Sequence, residues 1–91
     1  MELKWTGQAR ADLVRLHAFL AAANPAAAAR VMQRLTDAPT RLLTHPRLGE
    51  RLEEFNPRDV RRIFVGPYEL RYEVRGGAIF VVRLWHGRED R

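Results

Sequence analysis

Near residue 60 the hydrophobic period of this 91-residue chain changes from helical to alternating, and few folds accommodate that change within one small domain. The stretch Tyr68 to Arg75 alternates without exception, with Tyr68, Leu70, Tyr72 and Val74 at one parity and Glu69, Arg71, Glu73 and Arg75 at the other. Strand side chains point to opposite faces in turn, so one face of this strand meets a core and the other meets solvent or a ligand. Val60 to Val65 and Ala78 to His86 read as two more strands. Gly66-Pro67 and Gly76-Gly77 separate the three, and glycine supplies the positive φ that tight hairpins need. An antiparallel meander results.

Ahead of the meander the spacing is helical. Glu2 to Trp5 reads as a short strand, and Thr6 stands as N-cap to a helix from Gln8 to Ala22, whose Ala9, Leu13, Leu16 and Leu20 form one stripe. Asn24-Pro25 restarts the chain, with Asn24 as cap and Pro25 at the first helical position, where its missing N–H costs nothing. Ala28, Val31, Leu35, Ala38 and Leu42 line the second helix. Pro39 lies inside that stripe and must kink the helix or divide it. Between Thr44 and Asp59 the chain reads as a loop with room for one helical turn, anchored by Leu48, Leu52 and Phe55. The expected fold is α+β: a strand, a two-helix hairpin, then a three-stranded antiparallel meander, with the helices packed on one sheet face. Residues 1–91 form a single domain in this reading, with one modest core.

Cysteine is absent, so neither disulfides nor thiolate metal sites are available, which fits a reducing cytoplasm. No signal peptide or membrane segment is read at the N-terminus or elsewhere. The net charge of +5 is carried almost wholly by arginine, Lys4 being the single lysine, and points to an acidic partner, either nucleic acid or protein. His17, His45 and His86 lack metal-ligand spacing, there is no phosphate-cradling glycine loop, and no serine is present to act as nucleophile. Neither a metal nor a cofactor is expected.

The run Val60-Arg61-Arg62-Ile63-Phe64-Val65-Gly66-Pro67-Tyr68-Glu69-Leu70-Arg71-Tyr72-Glu73-Val74, followed by Ile79-Phe80-Val81-Val82-Arg83-Leu84-Trp85-His86-Gly87-Arg88, resembles the C-terminal signature of the RelE/ParE toxin superfamily, closest to its ParE-like branch. Ala11-Asp12-Leu13, Asn24-Pro25 and His45-Pro46-Arg47-Leu48-Gly49 agree with it, so the resemblance covers nearly the whole chain. It implies a type II toxin of the plasmid-stabilisation kind, neutralised by an acidic antitoxin that is ParD-, RelB- or Phd-like and lays a helix and an extended segment across the toxin.

The resemblance implies one of two activities: ParE-like members poison DNA gyrase, whereas RelE-like members cut mRNA on the ribosome. Metal-independent RNA cleavage needs a base, an acid and a cation on the phosphate. Here those are His86 and Glu69 as proton carriers, with Arg61, Arg71 or Arg83 as the cation. Glu69 occupies the position where several of those nucleases carry an arginine, and the loop from Arg47 to Asp59 mixes Glu50, Glu53 and Glu54 with its arginines. The expectation is therefore a ParE-like gyrase poison, with ribosome-associated cleavage as the alternative. Antitoxin or target contacts are expected at Glu69, Arg71, Glu73, Arg83, Trp85 and Arg88. Alternative roles stand beside these: His86 closing the last strand through the backbone, Glu69, Arg71 and Glu73 forming a solvated face, and Trp5 and Trp85 half-covering the core at sheet margins.

Overall fold

The structure is a computed structural model that describes residues 1–89. Strand β1 spans Glu2–Trp5, helix α1 Gly7–Ala23, helix α2 Pro25–Asp37, strand β2 Glu50–Arg51, β3 Asp59–Val65, β4 Tyr68–Arg75 and β5 Ala78–His86. The sheet order is β1-β5-β4-β3-β2; β1 runs parallel to β5 and the remaining pairs are antiparallel.

The expected caps are in place. Thr6 Oγ1 accepts from Ala9 N at 3.1 Å, and Asn24 Oδ1 accepts from Ala27 N at 3.1 Å with Pro25 in the first turn. Pro39 divides rather than kinks: α2 stops at Asp37 and the chain continues as a 3-10 helix, Ala38–Leu43, which keeps Leu42 in the core. Gly76 and Gly77 turn β4 into β5 with φ of 56° and 73°, values that side chains with a Cβ rarely adopt.

Both helices lie on one face of the sheet, where Ala9, Leu16, Leu35 and Leu42 meet Ile63, Leu70, Tyr72, Ile79, Val81 and Leu84. The segment between Thr44 and Asp59 carries more structure than a loop with one turn. It adds strand β2 on β3 and a 3-10 turn, Glu53–Phe55, and its Asn56-Pro57 bond is cis. Leu52 is buried and Phe55 half-buried, as expected of anchors, but Leu48 is exposed. The buried residue there is Gly49, whose N–H donates to Tyr72 Oη at 2.9 Å while that hydroxyl donates to Pro46 O at 2.8 Å. A Cβ on Gly49 would stand 2.6 Å from Arg62 O and 2.8 Å from Tyr72 Oη. Backbone cannot yield as a side chain does, so Gly49→Ala is expected to lower stability by roughly 1–3 kcal/mol, read as a fall in the urea midpoint at unchanged slope.

A bulge in β5 sets which residues face outward. Arg71 pairs with Arg83, but the next residue, Tyr72, pairs with Val81, leaving Val82 as the extra residue. A single inserted residue reverses the parity of everything beyond it. Ile79 and Val81 thus face the helices, and so does Leu84, while Arg83 and Trp85 turn to the opposite, outer face.

Candidate functional site

The outer face carries most of the residues expected to contact a partner. Arg62 of β3, Arg71 of β4 and Arg83 of β5 are directly opposed across three neighbouring strands, so their side chains form one row on one face. Like charges set opposite each other are unfavourable, and the row persists because each guanidinium has an anion or a ring against it. Glu69, almost wholly buried, accepts from Arg71 Nε at 2.9 Å and lies 3.8 Å from Arg62, which also pairs with Glu50 at 2.9 Å. Trp85 is flanked by Arg71 and Arg83, whose guanidinium carbons lie 4.7 and 4.9 Å from its ring centre, a cation–π arrangement.

Two expectations about this face are corrected. Glu69 and Glu73 do not form a solvated surface: both are buried, Glu73 beneath Arg58, which donates to it at 3.0 and 3.1 Å. That hydrogen bond, with the Arg58 charge, holds the Glu73 carboxyl below the usual carboxylate range. Trp85 does not cover the core from a sheet margin either, because the β5 bulge places it on the face away from the helices, where it is buried among arginines. Trp5 does lie partly buried against the core, as expected.

Arg83 is reached from the helical layer by Asp12. β1 ends opposite Val81, so the edge of β5 beyond it lacks a neighbouring strand. Side chains of α1 supply its partners: Asp12 Oδ2 accepts from Leu84 N at 2.9 Å, and Arg15 Nη2 donates to Leu84 O at 3.1 Å. Asp12 also accepts from Arg83 Nε at 2.9 Å and from Arg15 Nη2 at 3.1 Å. Burial raises the Asp12 carboxyl, but the hydrogen bonds from Arg83, Leu84 N and Arg15 together outweigh it and leave the group below its ordinary value. Neither Asp12 nor Arg15 was among the expected site residues. The signal was present: Asp12 sits three residues after Ala9 and four before Leu16, on the apolar stripe, where a carboxylate needs a partner.

The residues expected for RNA cleavage are only partly brought together: Glu69, Arg71 and Arg83 share the outer face, with Arg71 on Glu69 at 2.9 Å, whereas His86 and Arg61 have the opposite parity. His86 pairs with Tyr68 and has the helix-side parity, its ring edge-on to Tyr68 at 5.2 Å. It also closes the end of β5 through the backbone, since Nδ1 accepts from Arg88 N at 3.1 Å and its own N donates to Glu89 at 2.7 Å. Glu69 is on the other face. Arg61 lies opposite Tyr72, four residues along β4 from Tyr68, and is tied to Asp59 at 2.8 Å and to Gly49 O at 3.0 Å. Arg83 belongs to the Asp12 network.

His86 instead borders a groove of about 580 Å³ between α1 and the ends of β4 and β5. Leu16, Phe19, Leu20 and Tyr68 give it apolar walls, and Arg15, Arg88 and Glu89 stand at its mouth, with Arg15 ion-paired to Glu89. Phe19 is 78% exposed at its rim. Among the described residues no group of three or more His, Asp or Glu is placed to hold a metal ion, and no helix is long and apolar enough to cross a membrane.

Comparison with known proteins agrees with this architecture. Residues 3–91 match the family model described as the ParE toxin of the type II toxin–antitoxin system parDE. Over 85 residues the chain is 34% identical to the toxin RelE2 of Caulobacter vibrioides, with 93% of each chain covered. Its fold matches a solved structure of the chromosomal ParDE toxin–antitoxin system of P. aeruginosa with a TM-score of 0.80 at 25% identity, covering 94% of this chain and 95% of that one. Sequence signature, family model and fold therefore converge, and the chain belongs to the ParE toxin family of type II toxin–antitoxin systems.

Proposed function

We propose that this toxin stops growth by binding a protein of DNA metabolism, DNA gyrase, rather than by cutting RNA, and that an acidic antitoxin silences it by covering its surface in the cytoplasm. The observation that carries this reading is the separation of the nuclease residues: the imidazole of His86 and the carboxylate of Glu69 have opposite parities in the sheet, and Arg61 and Arg83 are engaged by Asp59 and Asp12. General acid–base chemistry requires both proton carriers within hydrogen-bond reach of one substrate. The outer face, with Arg71, Arg83, Trp85, Glu69 and Glu73, and the apolar groove near Arg88 are the surfaces assigned to antitoxin or target.

Ribosome-associated mRNA cleavage is the second reading. It is favoured by the name of the Caulobacter relative, a RelE toxin, and by the cations Arg15 and Arg88 beside His86 at the groove. Induced expression of the chain alone, scored for growth, RNA integrity and cell shape, separates the two. Filamentation with intact RNA and gyrase-trapped DNA breaks is the expected result; cleaved transcripts would replace it with the nuclease, and normal growth would leave a chain that binds only its antitoxin. His86→Ala is expected to leave RNA intact, as in the unaltered chain, while costing about 1 kcal/mol of stability for the lost Arg88 N–H bond. Cleaved transcripts with the unaltered chain that disappear in a folded His86→Ala protein overturn the gyrase reading.

A further inference from the structure

We propose that the groove between α1 and the ends of β4 and β5 is a binding site for a small monocarboxylate, its apolar body against Phe19 and Leu20 and its carboxylate on Tyr68 Oη, His86 Nε2 and Arg88. The ligand is a free small molecule, and the site holds whichever target the toxin has.

Unused hydrogen-bond donors point to a ligand. Tyr68 is 5% exposed, yet its hydroxyl has no hydrogen-bond partner among the described residues. No fully buried side-chain oxygen or nitrogen among them lacks a partner, so this hydroxyl is not sealed in the core; it opens where Tyr68 lines the groove. Burial pushes the phenol above its ordinary range, outweighing the charge of Arg34, so the group is a donor at neutral pH. His86 Nδ1 accepts from Arg88 N, which puts the ring proton on Nε2, a second donor without a partner among the described residues. The Arg88 guanidinium is likewise unpaired among them. A hydroxyl as sheltered as that of Tyr68 is ordinarily hydrogen-bonded, and three donors on one groove suit an oxyanion.

Size and charge set the ligand class. The groove holds about 580 Å³, within the range of small-molecule sites, about 300–1,000 Å³, and Leu16, Phe19 and Leu20 give it an apolar wall. Helix α1 lines it from Arg15 to Leu20, which is about 8 Å of helix, whereas a docked helix of three turns would need about 16 Å. That length suits one ring or a short branched chain. Arg15 is paired with Glu89 and also donates to Asp12 and Leu84 O, so it adds little attraction of its own. With Glu89 balancing Arg15 at the mouth, Arg88 is the net cation there. A singly charged carboxylate matches that balance, and a doubly charged phosphate would be repelled by Glu89. Phe19, 78% exposed at the rim, gains apolar cover from such a ligand without leaving any contact in the core.

The test titrates the full chain with hydrocinnamate, which carries one ring, and isocaproate, which carries a short branched chain, and follows backbone amide signals by NMR. Saturable shifts at Leu16 to Leu20, Tyr68 and His86 to Arg88 are expected, with a Kd on the order of 1 mM for ligands of about ten non-hydrogen atoms. Tyr68→Phe leaves the protein's own hydrogen bonds intact, so its melting temperature should match that of the unaltered chain while binding weakens about 3–10-fold. Arg88→Gln is expected to weaken binding by a similar factor. Hydrocinnamamide, which keeps the ring and lacks the charge, should bind about tenfold more weakly than the acid. No saturable shift with either carboxylate up to about 10 mM, or equal binding of amide and acid, overturns the proposal. Unchanged affinity in both folded variants overturns the placement of the carboxylate. Phenyl phosphate binding more tightly than hydrocinnamate overturns the assignment to a singly charged ligand.

Discussion

Replacing Tyr72 with alanine is expected to destabilise the domain by about 3–5 kcal/mol, the range for truncating a large buried aromatic side chain. Tyr72 is fully buried at the centre of the sheet, and its hydroxyl bridges Gly49 N and Pro46 O, both in the segment that leads to β2. Burial and the Gly49 bond have opposite effects on the phenol; burial prevails, and the group ionises above its ordinary value. Tyr72→Ala removes ring and tether together, leaving a cavity and an unpartnered Gly49 N–H. Tyr72→Phe keeps the ring and loses only the tether, so its cost should be roughly 1–3 kcal/mol. Chemical denaturation of both variants, with hydrogen exchange at Gly49 N–H, tests this directly. Equal losses in the two would mean that the ring contributes little, contrary to its place in the core. A domain of this size has about 5–15 kcal/mol to lose, so the alanine variant should approach the limit of folding without a partner.

The parts of the fold that local chemistry dictates were legible in the sequence. Thr6, Asn24-Pro25 and Gly76-Gly77 each mark an element boundary by satisfying or releasing backbone groups at that point, and the structure has them as read. The alternation of β4 likewise fixed its two faces. What depended on pairing across the chain was not legible. In Ala78–His86 the apolar residues run almost without a break, so either parity is admissible until the bulge at Val82 selects one; Arg83 and Trp85 take their face from that choice. Arg61 and Arg62 are adjacent and chemically identical, yet register with β4 sends Arg61 to the helix side to hold Gly49 O and Arg62 to the outer row. Alternating Glu and Arg along β4 looks like a solvated strand, and only the Arg58 and Glu69 contacts reveal the burial of its carboxylates. Leu48 reads as an anchor by hydrophobicity, whereas the close approach of Arg62 O and Tyr72 requires a residue without Cβ, which selects Gly49.

Asp12→Ala is expected to cost about 2–4 kcal/mol, a little under the range for breaking a fully buried ion pair, because Arg83 and Arg15 keep part of their guanidinium groups in water. The loss is larger than one salt bridge suggests, since the same carboxylate replaces a neighbouring strand for Leu84 N and orients the arginine that stacks on Trp85. Asp12→Asn retains an oxygen for the Leu84 N–H and should recover about half of the difference, which separates the backbone contribution from that of charge. The two variants also differ from the unaltered protein in acid. The folded Asp12 carboxyl lies below its ordinary value, so its contribution is complete above the unfolded pKa, near ~3.9, and fades as pH falls through the folded one. Stability of the unaltered chain should therefore drop below about pH 4, with a shallower drop in Asp12→Asn, where Glu73 beneath Arg58 still titrates. Parallel acid profiles for the two proteins would show that the Asp12 charge contributes nothing to stability. Because Arg83 is held at one end by Asp12 and rests at the other on Trp85, a substitution inside the helical layer should also weaken antitoxin binding on the opposite face; near-UV dichroism of Trp85 and calorimetry on the same Asp12→Asn sample measure whether that link exists.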